Sequence, residues 1–261
     1  MTNGLQALTD GSAGSTALLA SQARQTMSTV TSLMNTQLGG QHLFGGADSG
    51  GAPMAPSDAP GGPLATMRAM VSGPVDASNV DQLLANVDAV FNGGGSSGSA
   101  SYNGLFYQSA STSSDPATQV HIGAGQTLSY NLRGDSQGFK DSMQAMSLLS
   151  LLDAKDPATG QDMLNADAKT ALRAKASGLL GSAQDKLTAA AGMLGVTQQR
   201  LQSVADIQDR AVTAATTQIN TLESVDYYTA TAQLNSLKTQ LQASYSLTSS
   251  LSGLSLVNYL G

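Results

Sequence analysis

VTQQRLQSVADIQDRAVTAATTQINTLESVDYYTATAQLNSLKTQLQASYSLTSSLS, residues 196–252, contains neither glycine nor proline. All seven prolines of the chain lie at or before Pro157. Such a stretch predicts a continuous helix, and at about 1.5 Å per residue it would reach on the order of 85 Å. Its apolar positions run through Leu201, Val204, Ala211, Ala215, Ile219 and Leu222, then Ala230, Leu234, Leu237, Leu241 and Tyr245. Stripes of this length with near-heptad spacing are those of a coiled coil. One internal break is expected at Asp226, where Asp226 followed by Tyr227-Tyr228-Thr229 would cap a new helix. From residue 211 to the end there are three charges, Glu223, Asp226 and Lys238. A solvated helix normally carries more, so this one is expected to be covered by partners.

Upstream, a second helical stripe runs from about Thr16 to Leu38 through Leu19, Ala23, Met27, Val30, Met34 and Leu38. Gly39-Gly40 is expected to end it. Breakers then gather. Residues 45–63 read as a Gly/Pro/Ala linker and residues 92–101 as a flexible Gly/Ser loop. Val80, Leu83, Leu84, Val87, Val90 and Phe91 have helical spacing. Val120 and Ile122, then Leu128, Tyr130 and Leu132, alternate about Gly123-Ala124-Gly125 and predict a β-hairpin.

The fold class expected is mainly α: an elongated antiparallel helical bundle or coiled coil carrying a small mixed α+β insertion with a β-hairpin. Four parts are expected. Residues 1–46 form an N-terminal helical coiled-coil part, 47–136 a mixed insertion facing solvent, 137–225 a helical bundle part, and 226–261 a C-terminal assembly helix.

Composition bounds the function. Charged residues are 11% of the 261, against about 25% in ordinary globular chains. A net charge of −6 with dispersed basic residues argues against nucleic acid. Zero cysteines exclude disulfides, thiolate metal sites and cysteine nucleophiles. No apolar run is long enough to insert into a membrane. The first twenty residues lack a basic n-region and an apolar h-region, so no signal peptide is visible.

Chemistry-bearing motifs are weak. Gly94-Gly95-Ser96-Ser97-Gly98 fits G-x-S-x-G, with Asp115 and His121 following in hydrolase order. The nucleophile elbow needs a strand before the serine and a helix after it, and Ser96 sits instead in a Gly/Ser loop. His42 has no second histidine or cysteine near it to share a metal. Asp153, Asp156 and Asp162 miss the EF-hand spacing and read as a solvated loop. No catalytic residue, cofactor or metal site is expected. The scarce aromatics Phe91, Tyr102, Phe106, Tyr107 and Tyr130 leave sugar stacking by the insertion as an alternative reading.

Four stretches together resemble the flagellin and hook-associated family: NTQLGGQHLFGG at 35–46, Val120 to Phe139, LGVTQQRL at 194–201, and Val225 to Leu260 with its LSLVNYL close. Within it the ending is similar to the branch at the hook–filament junction, with filament flagellin the alternative. Two departures stand out. Gln199 and Gln202 replace the usual Asn and Glu flanking the Arg200-Leu201 pair, and the long N-terminal helical segment usual in the family is not seen before the first stripe, so truncation is expected.

The resemblance implies a non-enzymatic, extracellular structural subunit, exported by a type III apparatus without a cleaved signal. It implies as partners other flagellar axial proteins (a hook-associated protein and flagellin), copies of itself in a ring, and an export chaperone. The assembly interface is expected at Leu247, Leu251, Leu254, Leu256, Val257, Tyr259 and Leu260, with caps or hinges at Asp226, Gly45 and Gly46. Packing of that apolar end back onto the chain's own helices is the competing expectation.

Overall fold

Apolar side chains three and four residues apart organise the helices. The computed structural model describes residues 13–93, 101–111, 115, 118–123, 126–130 and 132–257. It is mainly helical with a small β component, as the sequence pattern predicts. In order come α1 (Ala13–Met34), β1 (Gln37–Leu38), β2 (Gln41–His42), α2 (Pro63–Ala69), α3 (Val80–Asn92), β3 (Thr118–Gly123), β4 (Gln126–Tyr130), α4 (Gln137–Ser150) and α5 (Ala166–Val257). A distorted turn occupies Tyr102–Leu105. The chain divides between Gln198 and Gln199 into two units, and the division falls within α5.

In the first unit α4 is the central element. It is buried on most of its circumference, including Met143, Ala145, Leu148 and Leu149. Leu19, Ala20, Ala23, Met27 and Met34 of α1, Val80, Leu83, Val87 and Val90 of α3, and Ala168, Leu172 and Ala176 of α5 join it in one core. Phe91, Tyr102 and Phe106 extend that core as a ring cluster with centroids 5.0 to 5.5 Å apart.

α4 also buries polar groups, and each finds a partner. The Ser147 and Ser150 hydroxyls donate to the carbonyls of Met143 and Ser147. Gln144 donates to Asp88 of α3 at 3.0 Å. Asp141 accepts from Gln137, Ser182 and Lys186, so α5 is tied to α4 by a charge-assisted set. Burial pushes the Asp141 carboxyl up, but these three donors outweigh it and hold the group below the ordinary carboxylate range.

Several local expectations change. α1 ends at Met34, because Asn35 leaves the helix to clamp the Met54 backbone, donating to its carbonyl and accepting from its N–H at 2.9 Å each. Gly39 and Gly40, expected to stop the helix, instead form the turn between β1 and β2. Both have positive φ (60° and 81°), as a type I′ hairpin turn requires. Leu38 therefore lies on a strand and is exposed. The 45–63 linker is partly core: Met54, Ala55 and Ser57 are buried. Pro63 at its end opens α2, where its missing N–H costs no hydrogen bond.

Asp153, expected in a solvated loop, is a half-buried hub. Arg24 of α1 grips both its oxygens at 2.8 Å, and Arg68 reaches it from the end of α2 at 3.0 Å. Burial raises its carboxyl, and the two guanidiniums bring it below the usual value. Asp162 is exposed, as read, and pairs with Lys155 and Lys169, while Asp156 is half-buried like Asp153 and accepts from the Ala158 and Thr159 amides. The predicted hairpin is present, β3 and β4 pairing antiparallel with Val120 opposite Leu128.

Candidate assembly surface

Asn165 starts α5, its side-chain oxygen accepting the Ala168 N–H at 2.8 Å. In the second unit, from Gln199 onward, the same helix continues without regular structure of any other kind among the described residues. Leu201, Ile207, Val212, Ile219, Leu222, Leu234, Leu237, Leu241 and Tyr245 are all exposed. Leu247 and Leu251, the described members of the predicted assembly end, are 66% and 61% exposed. The backbone of residues 254, 256 and 257 is helical. The side chains of Leu254, Leu256 and Val257, and all of Tyr259 and Leu260, lie outside the described residues.

The polar residues of this helix include hydroxyls and amides beside the charges of Arg200, Asp206, Asp209, Arg210, Glu223 and Lys238. Thr213, Thr217, Thr221, Thr231, Thr239 and Thr248 each donate to the carbonyl four residues before. These bonds satisfy the hydroxyls within the helix itself. Tyr227 and Tyr228 stand exposed, their rings edge to face at 6.3 Å.

At about 100° of rotation per residue, Leu201, Ala215, Ile219 and Leu222 lie on the same side of a straight helix as Ala230, Leu234, Leu237 and Leu241, so the apolar stripe is continuous. A break is expected from the sequence at Asp226. The backbone at 224–226 is nonetheless helical, so Asp226 starts no new helix in this conformation; its side chain lies outside the described residues.

Gly45 and Gly46, the other expected hinge, sit in a tight turn of the first unit. A Cβ on Gly45 would clash with the Asp48 carbonyl oxygen. Gly46 has φ +67°, with the Ser111 hydroxyl and the Arg133 side chain where a Cβ would point. This crowding makes a packed corner.

Other sequence candidates disperse. Phe91, Tyr102, Phe106 and Tyr107 are buried, so they offer no platform for a sugar, and burial raises the Tyr102 and Tyr107 phenols above their ordinary value. The Tyr130 and His121 side chains and all of Ser96 lie outside the described residues. His42 is buried against Gln37 in the β1–β2 hairpin. Among the described residues no acidic, histidine or cysteine group could hold a metal, and no helix is long and apolar enough to cross a membrane.

The sequence did not single out Ile207, Val212 or the exposed Met193, Leu194 and Val196 just before the second unit. Ile207 and Val212 lie in the glycine-free stretch, whereas Met193 and Leu194 sit between Gly192 and Gly195. No curated protein and no solved structure matches this chain. Residues 177–260 match the family model of the bacterial flagellin C-terminal helical region, a span that takes in the described residues of the second unit.

Proposed function

We propose that this chain is a structural, non-enzymatic subunit at the junction between flagellar hook and filament. The observation that carries the reading is the row of exposed apolar side chains from Leu201 to Leu251, on a helix whose sequence matches the flagellin C-terminal region. Burying one leucine stabilises by about 1.5–3 kcal/mol, so several covered together drive docking. The end of the chain, with its LSLVNYL close, favours the junction over the filament proper. Partners on this reading are a hook-associated protein, flagellin, copies of the chain in a ring, and a chaperone that covers the helix before export. The absence of Cys and Trp and the sparse charge suit a chain that is threaded unfolded.

Filament flagellin is the second reading, since the same family match accommodates it. Deleting the gene separates the two from a dispensable role. The expected strain carries hooks without filaments and releases monomeric flagellin into the medium. Normal filaments on the deletion strain would overturn the proposal. Extensive seeded polymerisation of the purified chain would move it to the filament.

A further inference from the structure

The methionines among the described residues divide sharply by exposure. Met27, Met34, Met54, Met67 and Met143 are buried in the core of the first unit. Met70, Met146 and Met163 are half-buried and pack against that core. Met193, on α5, is 75% exposed.

The local sequence keeps Met193 open. On a helix a long side chain leans toward the N-terminus, over the residues three and four positions before it. Here those are Ala190 and Ala189, and the matching residues after it are Val196 and Thr197. None is large enough to roof a thioether. Gly192 and Gly195 add no side chain of their own. Apart from the adjacent residues, no side chain lies within 4 Å of where their Cβ atoms would stand.

We propose that Met193 is a modification site, the described methionine that hydrogen peroxide and organic hydroperoxides convert to the sulfoxide while the subunit stays folded. A lone pair of Sδ attacks the peroxide, so access from solvent decides which methionine reacts. One oxygen passes to Sδ as the O–O bond breaks. The sulfur loses two electrons, and the peroxide leaves reduced, as water or as the corresponding alcohol. The product is a polar, chiral side chain. At Met193 it places a hydrogen-bond acceptor beside exposed Leu194 and Val196 and opens no gap in the core. At Met27 or Met143 the same oxygen would stand without a partner among apolar side chains, at a cost the folded core resists.

The chain has no cysteine, so no thiol competes for the oxidant. The full chain is treated with dilute hydrogen peroxide, quenched at intervals, digested and read by peptide mass spectrometry. Met193 sulfoxide is expected to accumulate several-fold faster than the sulfoxide of any other described methionine. Circular dichroism and Tm of that product should match the untreated chain. In guanidinium chloride the described methionines should react at similar rates, because the fold no longer shields any of them. A Met193→Leu chain should lose the fast phase and keep the slow ones. Comparable rates at Met193 and the core methionines of the folded chain would overturn the proposal, as would earlier oxidation of Met70, Met146 or Met163. A preference for Met193 that persists in denaturant, or unfolding on oxidation of Met193 alone, would do the same. None of these outcomes depends on where the subunit docks.

Discussion

Replacing Leu237 and Leu241 together by aspartate abolishes assembly and leaves the first unit folded. Both leucines are exposed on the second half of the C-terminal helix, so neither substitution opens a cavity in a core. On the proposed reading they are covered in the assembled state, and each lost leucine burial removes about 1.5–3 kcal/mol. Two such losses weaken docking by about 10²–10⁴-fold, since about 1.4 kcal/mol is one factor of ten. Buried, unpaired carboxylates add to the effect. Sedimentation of the purified variant onto isolated hooks checks binding, and circular dichroism checks the fold. Wild-type binding by a folded variant would mean that the second half of the helix is not a contact.

The second large effect lies in the core. Leu148→Ala empties space on the central helix α4, where Leu148 has 0% exposure among side chains from α1, α3 and α5. Truncating a fully buried leucine costs about 2–5 kcal/mol. For a unit of this size that lowers Tm by roughly 4–20 °C. Leu201→Ala, on the exposed helix, should stay within about 0.5 kcal/mol in the unassembled chain. Thermal unfolding followed by circular dichroism compares the two. The contrast separates residues that hold the subunit together from residues kept apolar for a partner.

That distinction was legible in the sequence where the signal is periodic and local. Val80, Leu83, Val87, Val90 and Phe91 repeat at helical spacing, and all five are buried in α3. Val120 opposite Leu128 follows from alternation on either side of a glycine pair. The exposed C-terminal stripe was legible for the same reason.

Sites that depend on distant partners were not legible. Asp153 looks like a loop carboxylate because Arg24 and Arg68 lie 129 and 85 residues away in sequence. Leu38 continues the α1 stripe on paper, yet the Asn35 clamp on Met54, 19 residues on, ends the helix first. The burial of Phe91, Tyr102 and Phe106 together needs a ring cluster that spacing does not reveal. Pro63 after Gly61-Gly62 was a readable helix start, although only seven residues follow it in α2.

The account stands on the exposed helix from residue 199 to residue 251 becoming covered when the subunit docks. Amide hydrogen exchange over those residues, in the free chain and in the chain seated on isolated hooks, tests this directly. The account predicts fast exchange in the free chain and strong protection on the hook, extending through both halves of the helix around Leu222 and Leu241. A chain that binds hooks while residues 199–251 exchange as fast as when free would contradict it.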